Sequence, residues 1–147
     1  MSLGIVAGTA NPVLAKAVAS RLRTRLVEME LERFPDGEIR PRLGPIRGAD
    51  VYIVQPTGPP VTDNLVELLL LDASCRSGAD RVTAVVPYFG YARQDRRAGD
   101  RRPIGARVAA EAIAGTGTSR LVVVDPHTSS LEAMFPVPSR CSPQCLC

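Results

Sequence analysis

Four short apolar runs constrain this 147-residue chain more than anything else in it: residues 3–7, 51–55, 82–86 and 121–124. Each is the length of a strand and offers apolar side chains to both faces, the pattern of a strand covered on two sides. Helical patterns separate them. Asn11 reads as an N-cap and Pro12 as a first helical residue, with Leu14, Val18 and Leu22 at helical spacing after them. Residues 65–73 are apolar nearly all round, with Asp63 or Asn64 as cap, Glu67 in the position of a capping box, and Gly78 as the stop. Pro103 opens a third helix, with Ile104, Val108 and Ala112 on one face and a close near Gly115. Residues 26–34 alternate, Val27, Met29 and Leu31 against Glu28, Glu30 and Glu32, as a half-exposed strand near a sheet edge does. Residues 39–43 continue as a strand weakened by Pro41. Buried strands alternating with helices imply an α/β fold: a mostly parallel sheet with helices on both faces.

Composition removes several classes of function. A net charge of +3 is too small to imply a nucleic-acid partner. No apolar run approaches the roughly 20 residues of a membrane span. The start has no basic n-region and is interrupted by Asn11-Pro12, so no signal peptide is expected and the protein is read as cytoplasmic. Of four cysteines, Cys75 sits alone in a helical stretch as a small buried residue. Cys141, Cys145 and Cys147 crowd the last seven residues with no histidine near, a poor metal site.

The chemistry concentrates in residues 81–107. The run 82–86 stops at Pro87, a turn Tyr88-Phe89-Gly90-Tyr91 follows, and then come Arg93, Arg96, Arg97, Arg101 and Arg102. Open α/β sheets bind ligands at the carboxyl ends of their strands, and guanidinium forks match phosphate oxygens. The aromatics are placed to face a base ring; the bland alternative is a solvated charged loop. A second strand end carries Asp125 and His127, the only histidine, two residues apart and so on one side of an extended backbone. A carboxylate and an imidazole there can share a divalent cation with phosphates and waters. Phe34-Pro35-Asp36-Gly37-Glu38 is a turn whose glycine accepts positive φ.

At these residues the chain resembles the ribose-phosphate pyrophosphokinase family. The motifs are GTANPVLA (8–15), FPDGE (34–38), DNLVELLLLDA (63–73), PYFGYARQDRR (87–97) and DPHTSSLEAMF (125–135). The resemblance implies transfer of the β,γ-diphosphoryl group of ATP to O1 of ribose 5-phosphate, with Mg²⁺. It implies a phosphoribosyltransferase-like N-terminal domain and a homo-oligomer. Phe34, Asp36 and Glu38 match a loop that reads adenine from a neighbouring subunit. Arg93, Gln94 and Asp95 match ATP contacts, which Arg96 and Arg97 extend; Asp125 and His127 match the metal region. The family's lysine-arginine loop and its acidic, threonine- and glycine-rich loop for ribose 5-phosphate have no counterpart in these residues, and segment 98–103 departs from the usual pattern. Two other classes stay open: a non-catalytic associated subunit of the same fold, and a phosphoribosyltransferase.

Residues 1–138 read as the incomplete N-terminal domain and 139–147 as an aberrant tail. One back-translation of the tail, with a single G added in front, reads VEMLTAVPL, which resembles the family. A one-nucleotide frameshift after Pro138 is the expectation, and it leaves the tail cysteines without a native role.

Overall fold

The structure is a computed structural model that describes residues 2–97 and 99–142, and of Asp125 the backbone alone. In chain order the elements are β1 (Ser2–Ala7), α1 (Pro12–Arg21), β2 (Arg25–Val27), β3 (Met29–Arg33), β4 (Ile39–Leu43), β5 (Ala49–Val54), α2 (Val61–Arg76), β6 (Arg81–Tyr88), α3 (Gly105–Gly115) and β7 (Arg120–Asp125). A 3-10 helix, Ser129–Met134, leads to β8 (Ser139–Cys141). Six strands make one parallel sheet in the order β2-β1-β5-β6-β7-β8. The hairpin β3–β4 stands apart as an antiparallel pair. The α/β class and the mostly parallel sheet are as the apolar runs imply.

Alternation along each strand sends successive side chains to opposite faces, and two cores result. On one face Val6, Ile53, Ala84 and Val123 pack with Leu68 and Leu71 of α2 and Ile113 of α3. On the other, Ile5 and Val54 pack with Ala15 and Ala19 of α1. Leu68, Leu71 and Ile113 are fully buried, so truncation of any one to alanine costs about 2–5 kcal/mol.

Several local readings change. Residues 26–34 are two strands, not one. β2 joins the sheet edge beside β1, the chain turns at Glu28, whose carbonyl accepts from the Gly44 amide at 2.9 Å, and β3 leaves to pair with β4. The alternating pattern runs through both strands and so hides the break. Pro41 is tolerated because β4 has a partner on one side alone.

Asn11 does cap α1, accepting from the Leu14 amide at 3.0 Å. The capping box of α2 does not form. That helix starts at Val61 after Pro60, with no side-chain cap. Asn64 and Glu67 lie inside it, buried; Asn64 donates to the Gly58 carbonyl of the loop just before the helix, and Glu67 bonds to Thr9, 58 residues away. α3 starts at Gly105, two residues after Pro103, and buries Ala106, Ala109, Ala110 and Ile113. Val108 is 58% exposed and lines, with Leu65 and Ala112, an apolar groove. Alanine is small enough to let a helix sit close to its neighbours, so the small residues face inward and the larger Val108 does not. Residues 139–141, which the sequence places in the tail, pair as β8 with residues 121–123 of β7. Residues 143–147, with Cys145 and Cys147, lie outside the described residues. No helix among the described residues is long and apolar enough to cross a membrane.

Candidate functional site

β6 and β7 run parallel, with Tyr88 opposite Asp125, so the arginine loop and the segment holding His127 leave the same edge of the sheet. The loop after β6 is pinned first at Thr57. The Thr57 amide donates to the Tyr88 carbonyl at 2.8 Å, and the Gly90 amide donates to the Thr57 hydroxyl at 2.8 Å. Gly90 must be glycine here, because a Cβ would collide with the Thr57 carbonyl and the Val61 side chain. Tyr91 holds a positive φ of 67°, its hydroxyl is 3.3 Å from that of Thr62, and its carbonyl accepts from the Gln94 amide at 2.8 Å. The Gln94 carbonyl in turn accepts from the Ala106 amide at 3.1 Å, tying the loop to the first turn of α3.

Two cavities open along this loop. The first, about 440 Å³, is lined by residues 88–94 with Val61 and His127. The second, about 480 Å³, is lined by Arg93, Gln94, Arg96, Arg97, Arg102 and Pro103. Arg93 and Gln94 line both, so the two adjoin there. Arg93, Gln94, Arg96, Arg97 and His127 are exposed. Asp95 is not: its side chain is 11% exposed and lies 3.5 Å from the Ser130 hydroxyl, which donates to it, and 3.7 Å from Arg96 Nε. It ties the arginine loop to the segment after β7. Phe89 is buried edge-on against Phe135, ring centres 5.3 Å apart, so it is a core residue and cannot face a base; Tyr88 is half exposed and lines the cavity.

The turn at 34–38 is the tip of the β3–β4 hairpin. Gly37 has φ 96°, the Phe34 amide donates to the Glu38 carbonyl at 2.9 Å, and the Glu38 amide donates to Asp36 Oδ1 at 3.0 Å. Arg40 covers the Phe34 ring at 5.1 Å and pairs with Glu32 at 2.7 Å. Phe34, Asp36 and Glu38 line neither cavity. The structure therefore brings 93–97 together with His127, and leaves the hairpin apart. Asp125 ends β7, but its side chain lies outside the description. Among the described residues no group of three His, Cys, Asp or Glu could hold a metal. The donors in view do not make a protein cage, and a cation here would rely on ligand oxygens and water, as Mg²⁺ commonly does.

A second crevice lies where the strand order reverses, between the carboxyl ends of β1 and β5, the usual ligand position in an open sheet. Here the protein fills it. Glu67 accepts from the Thr9 amide and the Thr9 hydroxyl, both at 2.6 Å, and Gln55 accepts from the Ala10 amide at 3.2 Å. Gly8 lies so close over the Gln55 amide that a Cβ would overlap it. Thr57 and Val61, which the sequence did not mark for the site, shape the cavities after β6, and so does Arg102. Only Arg102 carried a signal, as part of the basic run.

Residues 3–117 match the model of the N-terminal domain of ribose phosphate pyrophosphokinase. The chain belongs to the ribose-phosphate pyrophosphokinase family. The ribose-phosphate pyrophosphokinase of Maricaulis maris is 46% identical over 137 residues, which are 92% of this chain and 44% of that protein. That of Thermotoga maritima is 43% identical over 136 residues, 91% of this chain and 43% of its own length. The crystal structure of phosphoribosylpyrophosphate synthetase from Mycobacterium smegmatis superposes with a TM-score of 0.90 at 34% identity, over 97% of this chain and 49% of that one. The chain thus spans less than half the length of the curated family members it matches.

Proposed function

We propose that this chain forms the nucleotide side of a ribose-phosphate diphosphokinase. In the reaction O1 of ribose 5-phosphate attacks the β-phosphorus of ATP, the bond from that phosphorus to the oxygen bridging the α-phosphorus breaks, and AMP leaves. The observation that carries the reading is the pair of adjoining cavities that share Arg93 and Gln94, with arginines lining one and His127 the other. Guanidinium groups fit the work, since charge moves across the diphosphoryl group and fixed donors aimed at it lower the barrier. Arg93, Arg96 and Arg97 bind the phosphates in this reading, and Gln94 contacts the nucleotide between them. Asp95 holds the loop against the segment after β7. Asp125 and His127 are the residues that would hold Mg²⁺, which when bound neutralises phosphate oxygens.

Phe34, Asp36 and Glu38 read the adenine of a second copy of the chain, because their hairpin lies away from both cavities of its own. In this reading the working protein is a homo-oligomer in the cytoplasm, with residues 1–138 as its N-terminal domain. Ribose 5-phosphate is the substrate of the complete enzyme.

Calorimetric titration with ATP, with and without Mg²⁺, tests the site. Arg93→Ala should weaken ATP about tenfold, the loss of one charge-assisted hydrogen bond of roughly 1.5 kcal/mol. His127→Ala should weaken binding more with Mg²⁺ present than without it. Unchanged affinity in both variants would remove the assignment; equal losses with and without Mg²⁺ would make His127 structural.

A further inference from the structure

We propose that Arg102 is a further phosphate-binding residue, and that it makes the second cavity a pocket for a chain of phosphates rather than for a single one. The proposal rests on the nucleotide reading above. Four of the six residues lining that cavity are arginines, and none is acidic. Of the two carboxylates in the loop, Asp95 is directed toward Ser130 and Arg96, and Asp100 lines neither cavity. Among the described residues, no ion pair is formed by Arg93, Arg97 or Arg102. Four guanidinium groups around one cavity repel each other, and an anion with several charges relieves that repulsion better than one with a single charge.

The backbone is bent in a way that delivers Arg102 to this place. Gly99 has φ 119°, and Arg101, a residue with a Cβ, is held at φ 63°. A non-glycine residue in that region is strained and persists where its surroundings demand it. After this turn, neighbours in sequence part: Arg102 lines the cavity and Arg101 does not. Pro103 restricts φ just beyond it, and α3 begins at Gly105, where a Cβ would collide with the Gln94 amide. Arg102 thus sits between a strained turn and a rigid one and lines the cavity together with Arg93 and Gln94.

The test is calorimetric titration of the 147-residue chain with ATP, AMP and inorganic tripolyphosphate at constant ionic strength. The variants are Arg102→Ala, Arg102→Lys and Arg107→Ala. Arg107 lies on α3 and lines neither cavity, so it reports the loss of a nearby charge alone. Arg102→Ala should weaken ATP and tripolyphosphate about tenfold and AMP about twofold or less, as expected for a lost charge-assisted contact to the outer phosphates. Arg102→Lys should recover part of the loss, since the charge returns without the fork. Arg107→Ala should change none of the three. If the unaltered chain binds ATP no better than AMP, the nucleotide reading fails and this proposal with it. If it prefers ATP but Arg102→Ala keeps the full preference, or Arg107→Ala loses as much, the proposal alone is overturned. Circular dichroism checks folding; should the alanine variant not fold, an ATP-to-AMP preference in Arg102→Lys equal to that of the unaltered chain overturns the proposal.

Discussion

Glu67 occupies the place that a bound anion would take at the reversal of the strand order. Its two bonds to Thr9 close the loop between β1 and α1, and it is 2% exposed. Glu67→Ala leaves a buried amide and hydroxyl unpaired, so it should destabilise the fold by about 3 kcal/mol in urea unfolding. A loss under about 1 kcal/mol would show that water replaces the carboxylate. Cys75 offers a test by pH. Burial, with the Asp72 carboxylate beside it, pushes its thiol up to about 12 from 9.0. Asp72 is itself held by the hydroxyls of Thr116 and Thr118. Above pH 9 the unfolded chain loses the Cys75 proton while the folded chain keeps it, so stability falls as pH rises from 9 toward 12. The slope approaches about 1.4 kcal/mol per pH unit and should vanish in Cys75→Ala. An unaltered slope in that variant would assign alkaline loss to other groups. The two residues differ in legibility. The solitary cysteine in a helical stretch was readable as buried. Glu67 looked like half of a capping box because its true partner is 58 residues away.

At the scale of elements, sequence pattern located strands well and helix faces poorly. The apolar runs became β1, β5, β6 and β7 because a doubly covered strand must be apolar throughout, and that is a local property. In α1 Leu14 and Val18 pack on the core beside Ala15 and Ala19 as their spacing implies, but Leu22 is exposed; in α3 the spacing pointed to Val108, which is exposed, while alanines and Ile113 face inward. Spacing counts hydrophobicity but not the room available between a helix and its neighbours. The place of the basic loop at a strand end was legible, and so was its meeting with His127, because parallel strands end at one edge. Its pinning by Thr57 was not, since that contact joins residues 33 apart. Gly90→Ala tests the pin. The added Cβ forces the loop off Thr57 and Val61, an overpacking that should cost about 1–3 kcal/mol and lower ATP affinity as well. Full ATP affinity in a destabilised variant would separate the pin from the site.

At the scale of the whole molecule, the proposed role gives these residues one side of a two-substrate reaction. Diphosphoryl transfer needs the sugar hydroxyl in line with the β-phosphorus, and holding two reactants so is worth about 7–11 kcal/mol of barrier. The cavities after β6 bring arginines and His127 to one edge of the sheet, and the crevice between β1 and β5 is closed by Glu67 and Gln55. The family members matched here are more than twice as long as this chain. The 147-residue chain, purified free of host enzyme, should therefore bind ATP and yet release no AMP from it when ribose 5-phosphate and Mg²⁺ are added. Turnover near that of a full-length relative would mean that these residues hold the sugar as well, and that the groups positioning it lie among side chains given other roles above. Failure to bind ATP at all would instead place the nucleotide elsewhere and leave the arginine loop as a solvated surface.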